Sequence, residues 1–76
     1  MIEMRYAVVF ETASGSPSVN GYVPDLPGCV ATGQSVEEVR ALLQEAIRMH
    51  IAGMRQDGEP IPEPSSTVDY VEYVEA

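Results

Sequence analysis

Apolar and polar residues alternate at the start of the chain. Met4, Tyr6, Val8 and Phe10 interleave with Arg5, Ala7, Val9 and Glu11. A period of two predicts a strand from about Met4 to Glu11 with one strongly apolar face. Ala7 and Val9 on the other face predict that it too is partly covered. The cluster TASGSPS, Thr12 to Ser18, is turn chemistry: Gly15 permits unusual backbone angles and Pro17 resists a strand. A second strand follows from about Val19 to Val23. The short loop makes the pair an antiparallel hairpin, because a parallel crossover needs a longer connection. Pro24 ends the ladder by removing a backbone donor. Cys29 to Thr32 reads as a short third strand, broken by Gly33 and Gln34.

The period then changes. Val36, Val39, Leu43, Ala46, Ile47, His50 and Met54 form one stripe at helical spacing, predicting a helix from about Val36 to Gln56. Ser35 and Glu38 form a capping box at its start: the hydroxyl accepts from the Glu38 amide, and the Glu38 carboxylate reaches back to the Ser35 amide. Glu37 and Glu38 complement the positive end of the helix dipole. Gly58 ends the helix in a left-handed conformation and Pro60 prevents its resumption. Glu59 to Ser66 is an extended connector stiffened by Pro60, Pro62 and Pro64. A last strand is expected from about Thr67 to Val74. Val68, Tyr70, Glu72 and Val74 lie on one side, and Asp69, Val71, Tyr73 and Glu75 on the other. Such a mixed strand suits a sheet edge or completion by a neighbouring chain. The expected class is α+β: a small antiparallel sheet with one main helix, in the order β-β-β-α-β.

Size changes how this pattern must be stabilised. The chain has 76 residues, 45% of them hydrophobic, which points to one domain over 1–76 and away from disorder. A domain this small buries only about 60% of the surface its unfolded chain exposes. One cysteine excludes an internal disulfide, and one Cys with one His makes no zinc cluster. With one helix on one side of the sheet, association with another chain is the remaining route to burial, so a homodimer or higher oligomer is expected.

Charge narrows the partners. Twelve acids against four arginines and no lysine give a net charge of −8. Such a chain repels phosphate backbones, which argues against direct nucleic-acid binding and favours a basic partner. The N-terminus is unlike a signal peptide, and no apolar stretch approaches the roughly 20 residues that span a bilayer. A free cysteine without such a signal suits a cytoplasmic location.

The candidate chemistry is sparse. Cys29 lacks an obvious activating base, because the single histidine, His50, lies on the core stripe. Both are therefore expected to be packing residues. Glu3, Glu11 and Asp25 lie near strand ends, and such carboxylates could gather metal ions for hydrolysis. No spacing marks them as a cluster, so no metal or cofactor is expected. Pro24, Asp25, Leu26, Pro27, Gly28 and Cys29 form a rigid corner. The prolines fix backbone angles, Gly28 allows a tight reversal, and Asp25 satisfies nearby amides.

Together the segments YAVVFE, GYVPDLPGCVATGQSVEEV, AIRMHIAGM and DGEPIPEPS, from Tyr6 to Pro64, resemble the HicB-like antitoxins of prokaryotic toxin–antitoxin pairs. The resemblance implies a partial ribonuclease H-like fold without nuclease activity. It also implies a partner: a small basic HicA-like mRNA interferase toxin, which the antitoxin covers and neutralises. Many relatives add a C-terminal ribbon-helix-helix or helix-turn-helix segment for operator DNA. This chain ends at Ala76, before such a segment fits, so DNA binding is not expected of it. An unpaired protein-binding domain is the alternative, and a remnant metal-dependent hydrolase a weaker one. Asp25 and Leu26, on the corner, are the expected partner contacts.

Overall fold

A computed structural model describes residues 4–75. The elements are β1 (Val9–Thr12), β2 (Val19–Tyr22), β3 (Val30–Gly33) and α1 (Val36–Gln56). The strands form one antiparallel sheet in the order β1-β2-β3. The helix packs across one face, giving the expected α+β class.

The register explains how the helix sits. Phe10, Gly21 and Ala31 stand opposite one another across the sheet. Gly21 has no side chain, so the helix comes down close to β2. A Cβ at Gly21 would lie 2.6 Å from Val39 Cγ1 and 2.8 Å from Leu43 Cδ1. Val39 and Leu43 are the helix residues that are fully enclosed. With Val19, Val23, Leu26 and Cys29 they make the core, flanked by Tyr6, Val8, Phe10, Ala31, Ala46 and Ile47. The Arg40 guanidinium lies 5.6 Å from the centre of the Phe10 ring and covers its edge of the core.

Both helix ends follow from local chemistry. The Glu38 amide donates to Ser35 Oγ at 3.1 Å. The return half of the box differs from expectation: Glu38 Oε1 accepts from the Gln34 amide at 2.9 Å rather than from Ser35. Gly33 makes this possible, because a side chain there would occupy the space of the Glu38 carboxylate. At the other end, the Glu59 amide donates to Met54 O at 2.9 Å and the Gly58 amide to Arg55 O at 3.1 Å. With Gly58 at φ 71°, these bonds form a Schellman motif.

The strands differ from expectation in extent. β1 starts at Val9 rather than Met4, and the residues before it make no ladder, though Tyr6 and Val8 still pack on the core. β3 begins one residue later than expected and includes Gly33. The strand expected at Thr67–Val74 does not form among the described residues. Either face of that segment would bury a carboxylate with its apolar side chains. Tyr70, Val71 and Val74 are instead 92, 91 and 96% exposed.

Two substitutions test this packing. Gly21→Ala should destabilise the fold by about 1–3 kcal/mol through overpacking against Val39 and Leu43. Ser35→Ala should cost about 1 kcal/mol through loss of the cap. Urea unfolding followed by circular dichroism measures both.

Candidate functional site

The corner between β2 and β3 is two linked turns. The Leu26 amide donates to Val23 O at 3.1 Å, closing a turn over Pro24 and Asp25. The Cys29 amide donates to Leu26 O at 3.0 Å, closing a second over Pro27 and Gly28. Gly28 has φ 87°, so Pro–Gly occupies the central positions as a type II turn requires. The Val23 amide then donates to Cys29 O at 3.1 Å and returns the chain to the sheet.

This geometry corrects the expected role of Leu26. It is shared by both turns and is completely buried in the core. It cannot serve as a surface contact; its side chain anchors the corner from below. Cys29 is also buried, and burial pushes its thiol up from the ordinary value, away from the nucleophilic thiolate. His50 is half-buried. It shares an open hollow of about 350 Å³ with Cys29, Val30, Ala46 and Met49.

Asp25 does satisfy amides, but distant ones. Its Oδ2 accepts from the backbone amides of Ser65 and Ser66 at 2.8 and 3.0 Å. Its Oδ1 accepts from the Ser66 and Ser65 hydroxyls at 2.7 and 3.2 Å. The two backbone bonds, with help from the hydroxyls, lower its pKa from 3.8 to about 2. The carboxylate that seemed free for a partner is therefore committed to the proline-rich connector. Tyr6 holds the same connector by donating its hydroxyl to Pro62 O. Burial, and secondarily the Asp25 charge, raise the Tyr6 pKa and keep that donor protonated. The sequence did not pair Asp25 with either serine or Tyr6 with Pro62, because contacts across 40 and 56 residues leave no local pattern.

Of the three carboxylates considered for metal, Glu3 lies outside the described residues. Among the described residues, no three His, Cys, Asp or Glu side chains gather as a metal site. No helix there is long and apolar enough to cross a membrane.

The sheet face turned away from α1 carries a surface that the sequence reading did not single out. Val9, Tyr22 and Val30 stand in one cross-strand row, and Glu11, Asn20 and Thr32 in another. Thr32 Oγ1 donates to Asn20 Oδ1 at 2.8 Å, stiffening the polar row. Val30 is 65% exposed and Tyr22 37%. An apolar row beside a polar row that ends in a carboxylate offers anchoring area together with charge.

Fold and site together define a small α+β domain built on a double-turn corner, a capped helix and a strapped-down proline connector. The family model for the HicB-like antitoxin of bacterial toxin–antitoxin systems matches residues 6–75, and the chain belongs to that family. It is also similar to an uncharacterised 14.9 kDa protein from the rep–hol intergenic region of Haemophilus phage HP1, with 34% identity over 68 residues. That match takes in 90% of this chain and 50% of the phage protein, so the chain spans about half the length of that relative.

The Asp25 clasp gives a pH prediction. Its folded pKa lies below the ordinary 3.8, so its contribution is complete above about pH 4 and is lost as pH falls through about 2. In an NMR titration the Ser65 and Ser66 amides should shift together with a midpoint near 2. Asp25→Ala should speed hydrogen exchange at those two amides and leave Val39 and Leu43 protected. Midpoints near 4 would count against the clasp.

Proposed function

We propose that this domain is an antitoxin that binds and neutralises a small basic HicA-like mRNA interferase, acting as a binding protein rather than an enzyme. The observation that carries the reading is the family match across residues 6–75. The charge supports it. The family names a toxin as partner, and a toxin that works on RNA presents cations to phosphates. This chain has a net charge of −8, with Glu11, Glu37, Glu38, Glu45 and the acids after Arg55 exposed. Such carboxylates compete with RNA for the same cations and speed encounter. The outward sheet row of Val9, Tyr22 and Val30 supplies the apolar anchor, with Glu11 at its side. It takes the place of Leu26, whose burial removes it from the surface. The domain acts in the cytoplasm as a homodimer or higher oligomer on a partial ribonuclease H-like fold.

The expected behaviour is salt-sensitive association with the toxin, because rim charges govern on-rate and are screened within about 8 Å at physiological ionic strength. In a pull-down with the neighbouring gene product, Tyr22→Ser with Val30→Ser should weaken capture at least tenfold without altering the fold. Binding kinetics across a salt series should show a falling on-rate. The purified domain should block RNA cleavage and cleave no RNA itself with divalent metal present. An on-rate indifferent to salt would reject the electrostatic part. Metal-dependent cleavage by the domain would reject the binding role.

A further inference from the structure

The arginines are distributed unevenly around this acidic molecule. Arg48 is paired with Glu45 at 2.8 Å. Arg5 and Arg40 instead line one cleft of about 470 Å³ between the residues before β1 and the helix. Its other lining residues are Tyr6, Val8, Leu43, Gln44 and Ile47, with no carboxylate among them. The cleft has an apolar floor and a positive rim in a chain of net charge −8.

The complementary shape lies at the C-terminal end. Residues 67–75, TVDYVEYVE, carry three acids and no base, interleaved with Tyr70, Tyr73 and three valines. The start of this arm is fixed. Ser65 and Ser66 hang on Asp25, and Ser66, Thr67 and Val68 run along a slot whose other wall is Arg5 to Val8. Beyond that slot the arm covers nothing: Tyr73 is 78% exposed, and Tyr70, Val71 and Val74 more than 90%. The clasp fixes the point at which the arm leaves the domain. Fully extended, these residues reach about 30 Å, and the molecule measures 52 × 27 × 21 Å.

We propose that the acidic arm of residues 67–75 docks in the Arg5–Arg40 cleft of a second copy of this chain, and that the second copy returns its own arm. Charge selects the occupant. Two copies of net charge −8 repel, and the contact must bring acids to arginines; this arm and this cleft do so in both directions. Area agrees. Two tyrosines per arm bury about 150–250 Å² each, and the receiving surfaces lose a comparable area. Over two arms that is on the order of 1,200–2,000 Å², the range of a specific interface. The proposal rests on the self-association inferred above and is independent of the toxin partner.

The test uses the full chain. Unlabelled copies carrying a nitroxide at Val74→Cys are mixed with isotopically labelled copies that carry none. Amides of Arg5–Val8 and Arg40–Ile47 in the labelled copies should broaden. In sedimentation equilibrium, Tyr73→Ser, which lies far from the core, should weaken association at least tenfold. Arg40→Glu should do the same, and Glu72→Arg added to it should restore part of the loss. No broadening in that mixture, with the same amides broadened in isotopically labelled copies that themselves carry the nitroxide, would show the arm in its own cleft and overturn the proposal. Association that persists undiminished in Tyr73→Ser would overturn it while leaving self-association intact. A monomer at 100 μM would overturn both.

Discussion

The fold depends on the contact of Val39 and Leu43 with the bare backbone of Gly21. A sheet of three four-residue strands is marginal without a layer against it. The helix is that layer, and its distance from the sheet is set where a side chain is missing. Gly33 repeats the device at the helix start, leaving room for the Glu38 carboxylate to reach Gln34. The helix therefore rests on β2 through close packing and on the end of β3 through its cap. The flanking apolar residues fill in around those two points.

The corner adds a second level of organisation. Its two turns are closed by bonds within the segment itself, so its shape is local. Its consequences are not local. Pointing Leu26 inward seals the core, while turning Asp25 outward creates a receptor for the Ser65 and Ser66 amides. A single hairpin-like connection thereby secures both the interior and the return of the chain after the helix. Tyr6 and the Pro62 carbonyl tie that return a second time, across the residues that precede β1.

With core and connector secured, the molecule divides into surfaces of different character. The outward sheet face combines an apolar row with a polar one, the helix cleft gathers two arginines, and everything after Arg55 is acidic or neutral. Burial of Cys29 removes its thiol from this surface chemistry, and the clasp removes the Asp25 carboxylate. What remains outside is suited to meeting other chains, in keeping with membership of an antitoxin family.

Periodicity and capping chemistry alone determined the α+β class, the helix from Val36 to Gln56 with both its ends, and the hairpin. These depend on residues a few positions apart, where steric and hydrogen-bonding preferences act without help. The family was likewise legible, because the corner and cap segments combine in one order. The tertiary structure decided which way each corner side chain faces. Alternation could not place Leu26 inside, since turns have no period, and it could not pair Asp25 with serines far along the chain. Nor could it settle the last segment. Its residues have the preferences of a strand, but a strand forms only where an edge accepts it, and within this chain Tyr70 to Val74 meet none.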